Sequence, residues 1–325
     1  MRYIDFDSDG GPQDMKIRTT ESPIVTAGKV KIKVHAFGVN RADTLQRQGK
    51  YPAPPGESEI LGLEAAGEVL AVADDVSRWK PGDKVFGLMP GGGYAEEAIV
   101  DSRHLMPVPS NLSMSQAAGL SEVFLTAFQA IFEIAATPAK GKALIHAGAS
   151  GVGLAGLQLC KLADIQTAVT ASGREKLALC QKMGASQLIN YTQEDFAQIL
   201  SDQWPEGVNT VIDFVGGDYL NRNLSVLAKD GTVVYLAMLG GRYADKLDLG
   251  LMLGKRARVV GSTLRSRSDD YKGALIEAFT DRFLGGFSTG DLRVNVDTVL
   301  PAEDIATAHQ RLEDNDTSGK LVMTW

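Results

Sequence analysis

The chain has 325 residues. A single hydrophobic core usually serves a shorter chain, so two domains are expected. Its 40 acidic and 33 basic residues give a formal net charge of −7, which argues against general electrostatic attraction to nucleic acid or to an anionic membrane. No signal peptide and no membrane span are expected, because the N-terminal residues are polar and no apolar run is long enough. Two cysteines, Cys160 and Cys180, are interpreted as buried thiols in a reducing cytoplasm.

The first third of the chain is predicted to be a β-rich unit of barrel type. Residues 29–37 alternate polar and apolar side chains, as in a half-buried strand. Residues 60–69 resume strand character, and the two glycines in this stretch suggest a tight bend or a bulge. Turns rich in glycine and proline separate further short strands as far as Ser113.

From Ser113 onward, helices and strands alternate. Ser113 and Gln116 have the spacing of a capping box, and helical periodicity continues to Ile131. Strands are predicted at residues 166–170, 187–191, 210–215 and 232–236, with a helix at 174–184. Such alternation predicts a parallel sheet with helices on both faces, whose ligands bind beyond the carboxyl ends of the strands.

A glycine-rich turn lies between an apolar run and a helix at residues 143–159. Gly148 and Gly153 fit the dinucleotide fingerprint G-x-G-x-x-G, whereas Ser150 stands at the middle glycine. Such a turn lets the backbone approach a phosphate, to which the first N–H groups of the helix then point. An ordinary strand-to-helix turn is the alternative. Later strands also end at glycines, near Gly216 and Gly240, and this repetition favours a nucleotide site.

The segment after the second strand of this domain favours NADPH over NADH. An NAD enzyme places a carboxylate about 20 residues beyond the fingerprint, to hold the ribose hydroxyl. Here a hydroxyl, a glycine N–H and two cations follow the strand, at Ser172, Gly173, Arg174 and Lys176. This set suits a 2′-phosphate, although a solvated helix start is the alternative. Tyr191 follows the next strand and is either a phosphate donor or a rim aromatic.

No metal site is predicted. The β-rich unit has no cysteine, and its two histidines, His35 and His104, have no clustered partners in the sequence. No arrangement of serine, histidine and aspartate is evident either. The hydroxyl of Ser150 is expected to cap the helix or to contact a pyrophosphate.

After Ser262 the alternation loosens. A basic loop, a helix from about Asp270, a strand at 296–299, a helix from Ala302 and a closing strand at 321–323 are predicted. This tail is expected to return to the β-rich domain. The predicted domains are therefore 1–120, completed by 263–325, and 121–262 for the nucleotide-binding domain.

Four segments in this order resemble the medium-chain dehydrogenase/reductase superfamily, in its zinc-free quinone oxidoreductase branch. They are Gly38–Asp43, Gly62–Gly67, the glycine-rich turn and Leu264–Arg267. The resemblance implies an α/β fold, with a doubly wound parallel (Rossmann) nucleotide domain and a discontinuous GroES-like β-barrel domain. It also implies a homodimer that binds NADPH, in which the strand at 258–262 pairs with its copy.

The metal ligands of zinc-dependent relatives are missing from this sequence. Those relatives have a cysteine where Asn40 stands and a histidine where Leu63 stands. The resemblance therefore agrees with the absence of a predicted metal site.

Residue roles also follow from the resemblance. Asn40 and Tyr51 would line the substrate side as the catalytic residues, orienting and polarising a carbonyl group. The implied cofactor contacts are Gly148, Ser150, Gly151, Val152 and Gly153 on the pyrophosphate, Ser172, Gly173, Arg174, Lys176 and Tyr191 on the adenosine phosphate, Arg265 and Lys320 closing over the cofactor, and Thr126, Gly216, Gly240 and Leu264.

The expected activity is zinc-free transfer of a hydride from NADPH to a quinone. Two alternatives stay open. One is an NADPH-dependent reductase of enone or enoyl carbon–carbon double bonds, and the other is a non-catalytic, crystallin-like protein that binds NADPH.

Overall fold

The computed structural model describes residues 1–8 and 10–325 of the chain. These residues divide into two compact units. The first unit comprises Met1–Leu125 and Leu264–Trp325, and the second unit comprises Thr126–Thr263. The first unit is thus built from two separate parts of the chain, as expected for a discontinuous β-rich domain.

Fifteen strands lie in the described chain and are numbered in chain order. They are β1 Arg2–Asp5, β2 Lys16–Thr19, β3 Lys29–Val39, β4 Glu64–Val72, β5 Lys84–Leu88, β6 Glu97–Asp101, β7 Leu105–Pro107, β8 Lys142–Ile145, β9 Gln166–Ala171, β10 Gln187–Asn190, β11 Val208–Asp213, β12 Leu227–Tyr235, β13 Arg258–Gly261, β14 Val296–Pro301 and β15 Lys320–Thr324.

Eleven α-helices lie in the same residues. They are α1 Arg41–Arg47, α2 Met114–Ala118, α3 Ser121–Phe128, α4 Gly151–Leu162, α5 Arg174–Lys182, α6 Phe196–Gln203, α7 Tyr219–Val226, α8 Leu249–Lys255, α9 Asp269–Phe279, α10 Gly285–Thr289 and α11 Ile305–Glu313. Two π-helical segments, Gln129–Ile134 and Thr280–Leu284, follow α3 and α9. None of the described helices is both long enough and apolar enough to cross a bilayer.

The main sheet of the first unit has the strand order β14-β15-β3-β4-β5-β7, and β6 pairs with β3 as well. β15 runs antiparallel to β3, so a strand from the second part of the chain lies inside the sheet. The alternation in β3 sets its inner face, because Val30, Ile32 and Val34 are almost completely buried. These side chains belong to the core of the unit.

A glycine allows β3 and β4 to approach each other closely. A Cβ atom at Gly67 would lie 1.9 Å from the carbonyl oxygen of Lys33, so any other residue would push the strands apart. The register between β3 and β4 shifts between Val34 and Ala36, next to this contact. The bulge that the paired glycines suggested is therefore present.

The second unit is built on six parallel strands in the order β10-β9-β8-β11-β12-β13. This is the doubly wound order of dinucleotide-binding folds, and it reverses between β8 and β11. Central strand residues such as Leu144, Val211 and Val233 are fully buried, which explains the apolar runs in the sequence. The predicted α/β fold with a doubly wound parallel sheet is confirmed.

Two sequence predictions of local structure differ from the fold. Residues 60–63 are not part of a strand, because Gly62 has a φ of +106° and packs directly against the backbone of Gly93. The helix predicted from Ser113 to Ile131 is interrupted, since α2 ends at Ala118 with Gly119 as its C-cap and α3 begins at Ser121. Periodicity continued across this break because both helices bury apolar side chains.

Candidate active site

The glycine-rich turn joins β8 to α4 at the carboxyl end of the parallel sheet. Ser150 is the N-cap of α4, and its hydroxyl accepts a hydrogen bond from the N–H of Gly153 at 3.1 Å. A Cβ atom at Gly153 would lie 2.6 Å from the carbonyl oxygen of Gly148, so the helix packs on the turn with no space for a side chain. The serine in place of the middle glycine therefore stabilises the helix start.

The same turn leaves backbone donors available. Among the described residues, the N–H groups of Gly151 and Val152 have no acceptor in the chain, as is general in the first turn of a helix. The positive end of the helix dipole lies behind them. The turn is therefore shaped and charged to bind a phosphate group, and these residues fit a dinucleotide.

Most predicted cofactor residues lie at the same edge of the sheet. Because the strands are parallel, the segments after β8, β9, β10, β11 and β12 share that edge. These segments contain Gly148, Ser150–Gly153, Ser172–Lys176, Tyr191, Gly216 and Gly240. Thr126 lies instead in α3, while Leu264, Arg265 and Lys320 belong to the first unit.

The 2′-phosphate candidates lie at the exposed start of α5. Gly173 is the N-cap with a φ of +80°, and its position has open space around a hypothetical Cβ atom. Gly173 and Arg174 are exposed, whereas Ser172 and Lys176 are half-buried. β9 itself ends at Ala171, so no carboxylate terminates the strand.

A buried polar network that the sequence analysis missed holds three strand ends together. The imidazole of His146 contacts Thr170 Oγ1 at 2.9 Å through Nδ1 and Asn223 Oδ1 at 2.8 Å through Nε2. Asn223 Nδ2 donates to Asp213 Oδ2 at 2.6 Å, and Asp213 Oδ1 accepts from the N–H of Gly216 at 3.0 Å. Burial lowers the pKa of His146, so the ring is neutral in this network.

The candidate catalytic residue Asn40 lies in a second buried polar network, in the first unit. The ammonium group of Lys320 contacts Glu64 Oε1 at 2.6 Å, Asn40 Oδ1 at 2.7 Å and the carbonyl oxygen of Val39 at 3.1 Å. Asn40 Nδ2 donates to Glu64 Oε1 at 3.1 Å, and the backbone N–H of Glu122 donates to Glu64 Oε2 at 2.9 Å. The Asn40 amide is therefore held in one orientation, with one N–H left for another acceptor.

Lys320 uses all three of its donors inside this network. Its side chain is only 5% exposed, and that of Glu64 is fully buried. The ammonium group has no donor left, so the predicted contact between Lys320 and the cofactor stays a prediction and needs another atom of the residue. A glutamate at the start of a strand of small apolar residues, Glu64 on β4, was the available signal for a buried ion pair.

The second candidate, Tyr51, lies near Arg265, whose guanidinium carbon is 5.8 Å from the centre of the phenol ring. Burial raises the pKa of Tyr51, the negative charge of Glu122 raises it further, and Arg265 opposes both effects. The phenol therefore stays protonated at neutral pH and can donate a hydrogen bond. Neither Tyr51 nor Asn40 is an acid of useful strength at that pH.

A third buried polar network, formed by Asp43, Tyr94 and His309, supports the start of α1. Asp43 accepts from the N–H of Asn40 at 2.8 Å, from the N–H of Gly62 at 3.2 Å and from the hydroxyl of Tyr94 at 3.2 Å. The Tyr94 hydroxyl also contacts His309 Nε2 at 3.1 Å. Burial raises the pKa of Asp43 to about 6 and lowers that of His309 to about 3. This group fixes the backbone around Asn40.

One cluster of possible metal-ligating side chains exists among the described residues. Asp101, His104 and Asp269 place their ligand atoms within 4.8 Å of one another. The expectation that His104 has no clustered partner is therefore wrong, because Asp269 comes from a distant part of the sequence. Lys29 lies 3.3 Å from Asp269 and 3.6 Å from Asp101, so a cation already compensates the carboxylates. The absence of a bound metal stays a prediction.

Comparisons with known proteins agree with the architecture described for both units. Residues 26–110 match the alcohol dehydrogenase GroES-like domain family, and residues 151–281 match the zinc-binding dehydrogenase family. A quinone oxidoreductase of Pseudomonas aeruginosa is 31% identical over 325 residues, which cover 99% of this chain and 99% of the relative. The expected GroES-like domain is thereby confirmed.

Two solved structures share the whole fold. The quinone oxidoreductase of Escherichia coli, complexed with NADPH, has a TM-score of 0.89 at 26% identity and covers 100% of both chains. The CurK enoyl reductase has a TM-score of 0.87 at 25% identity and covers 99% of this chain and 98% of its own. With the full-length match to the Pseudomonas aeruginosa protein, the chain belongs to the medium-chain dehydrogenase/reductase superfamily, in its quinone oxidoreductase branch, and is an oxidoreductase enzyme.

Proposed function

We propose that the chain is an NADPH-dependent quinone oxidoreductase that works without zinc. The observation that carries the proposal is the set of residues at the carboxyl edge of the parallel sheet. There, a capped helix start with free N–H groups lies beside a strand end that has no carboxylate and is followed by two cations. The similar proteins named as quinone oxidoreductases, one of them complexed with NADPH, support the same assignment.

Each group of residues has a distinct task in this proposal. Gly148 to Gly153 bind the pyrophosphate through backbone N–H groups, and Ser172 to Lys176 with Tyr191 bind the 2′-phosphate. The reduced nicotinamide supplies a hydride when the cofactor is bound. Asn40 and Tyr51 hold the carbonyl oxygen of the acceptor through an amide N–H and a phenol O–H.

Reduction of an enone or enoyl carbon–carbon double bond is the second candidate. It is favoured by the likeness to the CurK enoyl reductase and by the half-buried carboxyl group of Glu122, whose raised pKa makes it a potential proton source. A double-bond reductase must protonate carbon, which is harder than protonating a quinone oxygen. A placed acid therefore matters more for this reaction.

A steady-state screen tests the function and the cofactor together. NADPH and NADH are each supplied with ortho-quinones, para-quinones and small enones. We expect turnover of quinones with NADPH, and Lys176→Ala to weaken NADPH binding by about 1–3 kcal/mol, the range for a hydrogen bond to a charged group. Lys182→Ala, at the exposed end of the same helix, is the control and is expected to leave the dissociation constants of both cofactors unchanged. Equal dissociation constants of the wild type for both cofactors would argue against the NADPH assignment.

We also propose that the enzyme is a homodimer. β13 is at the edge of the six-stranded sheet. Val259 on this strand is 37% exposed, and Leu253 in the helix α8 just before it is 78% exposed. Val259→Lys places a charge on that edge and is expected to give monomers. Light scattering at micromolar concentration measures the mass, and a wild type of monomer mass would refute the proposal.

A further inference from the structure

The chain of hydrogen bonds through His146 has a defined direction. Asn223 Nδ2 donates to Asp213 Oδ2 at 2.6 Å, because an aspartate carboxylate only accepts hydrogen bonds. Asn223 Oδ1 is then the acceptor that lies 2.8 Å from His146 Nε2, so Nε2 carries the ring proton. Burial lowers the pKa of His146 and keeps the ring neutral, so Nδ1 accepts from the hydroxyl of Thr170 at 2.9 Å. Asn223 therefore decides both the tautomer of His146 and the orientation of Asp213.

This chain of polar groups is sealed from solvent. His146, Asp213 and Asn223 are fully buried. The imidazole ring packs edge-on against the rings of Phe196 and Tyr219, whose centroids lie 4.8 Å and 5.0 Å away. A buried polar group that loses its partner has no solvent to replace it, so each bond in the chain depends on the others.

Both ends of the chain hold segments that are predicted to bind the cofactor. At one end, the carbonyl oxygen of Thr170 accepts from the N–H of Gly148 at 2.9 Å, so the residue that contacts His146 also fastens the glycine-rich turn. At the other end, Asp213 Oδ1 accepts from the N–H groups of Val215 and Gly216. The chain therefore links the turn after β8 to the loop after β11.

Asn223 also closes the loop at residues 214–218, which contains Gly216. This loop runs from the end of β11 to the start of α7, and the bond between Asn223 and Asp213 joins its two sides. The same loop holds the segment after β12, because the N–H of Gly240 donates to the carbonyl oxygen of Val215 at 2.7 Å. One buried amide is thus connected to three of the predicted cofactor segments.

We propose that Asn223 is a positioning residue for the cofactor, which holds the glycine-rich turn and the loop at 214–218 in their binding geometry before the cofactor arrives. This inference rests on the proposed binding of NADPH. The turn needs such support, because Ala147 has a φ of +49°, a conformation that costs free energy in a residue other than glycine. A site that is already ordered binds more tightly, since binding then requires less loss of conformational freedom.

The first test removes the amide at nearly constant volume. Asn223→Leu is expected to raise the dissociation constant of NADPH, measured by isothermal titration, by about tenfold or more, because a displacement of about 1 Å in a site can cost about 10²-fold. Asn221→Leu is the matched control. Asn221 lies in the same helix, and its amide also makes two hydrogen bonds, to Lys246 and Asp248. We expect this control to leave the dissociation constant unchanged.

A pairwise exchange separates positioning from a general loss of stability. Asn223→Asp alone places two carboxylates in contact and is expected to weaken NADPH binding as Asn223→Leu does. Combining it with Asp213→Asn restores every bond of the chain. The introduced amide still accepts from the backbone N–H groups and donates to the introduced carboxylate, which accepts from His146 Nε2. We expect the double variant to recover the affinity of the wild type.

Nitrogen-15 NMR of the histidine rings measures the direction of the chain without cofactor or turnover. The sequence has four histidines, and His146→Gln identifies the signals of His146. We expect a protonated Nε2 and an unprotonated Nδ1 in the wild type and in the double variant. Asp213→Asn alone should reverse the chain, because its amide then donates to Asn223 Oδ1 and the ring proton moves to Nδ1. An amide that only filled space at position 223 would leave the tautomer unaltered.

The outcomes separate the inference from the function. An Asn223→Leu variant that binds NADPH as tightly as Asn221→Leu does overturns the role of Asn223 but leaves the function. A double variant that binds no better than Asn223→Asp also overturns it, as does a wild type in which Nδ1 of His146 carries the proton. A wild type that binds no NADPH refutes the proposed function, and the inference with it.

Discussion

Lys320→Met is expected to lower the free energy of unfolding of the first unit by about 3–5 kcal/mol, the usual cost of breaking a buried ion pair from one side. The substitution leaves the fully buried carboxylate of Glu64 without its cation and takes a donor from Asn40. Methionine has a similar length, so a change in packing is not the cause. Asn40 also loses its fixed orientation, and kcat is expected to fall with the stability.

Tryptophan fluorescence during urea unfolding measures the effect. Trp79 and Trp325 belong to the first unit and Trp204 to the second, so a Trp204→Phe background restricts the signal to the first unit. Lys33→Met, an exposed lysine on β3, is the control and should change stability by no more than about 0.5 kcal/mol. Combining Lys320→Met with Glu64→Gln should recover part of the loss. A Lys320→Met variant within 1 kcal/mol of the control would contradict the assigned importance of the pair.

Gly153→Ala is expected to weaken NADPH binding by about 10²-fold or more. The added Cβ atom would lie 2.6 Å from the carbonyl oxygen of Gly148 and 2.7 Å from that of Ala147. Both contacts are with backbone, so the turn itself must move, and with it the N–H groups that face the phosphate. A displacement of about 1 Å in a binding constellation is enough for a loss of this size.

The change should be confined to the second unit. Isothermal titration gives the dissociation constant of NADPH, while the urea transition of the first unit should be unaltered. Gly254→Ala in α8 of the second unit provides the comparison, because a Cβ atom there meets nothing within 4 Å and alanine is more favourable than glycine inside a helix. If Gly153→Ala bound NADPH as the wild type does, the turn would not be the pyrophosphate site.

Local patterns predicted the parts of the fold that depend on near neighbours in the chain. The apolar runs around Leu144, Val211 and Val233 mark central parallel strands because both faces of that sheet are buried. The capping box of Ser113 and Gln116 is present, with a hydrogen bond of 3.2 Å to the Ser113 hydroxyl. The glycine turn was recognisable for the same reason, since its geometry is decided within a few residues.

Contacts between distant residues were out of reach of such patterns. Glu64 and Lys320 form one ion pair, yet no pattern in the sequence around either residue indicates that the other is its partner. The pairing of His104 with Asp269 was missed for the same reason. Ala147 adopts a φ of +49°, a conformation that alanine rarely takes, and only the surrounding turn imposes it. The raised pKa of Glu122 likewise comes first from its burial in the fold and then from charged neighbours in four other segments.

The position of β15 inside the sheet of the first unit has a consequence for biosynthesis. β3 leaves the ribosome early, but its partner β15 is translated after the whole of the second unit. The second unit is one continuous segment, so it can fold cotranslationally while the end of β3, residues 36–39, still presents an edge that only β15 pairs. The nascent chain therefore carries an aggregation-prone strand for most of its elongation, and chaperone binding to β3 is expected to end when β15 docks.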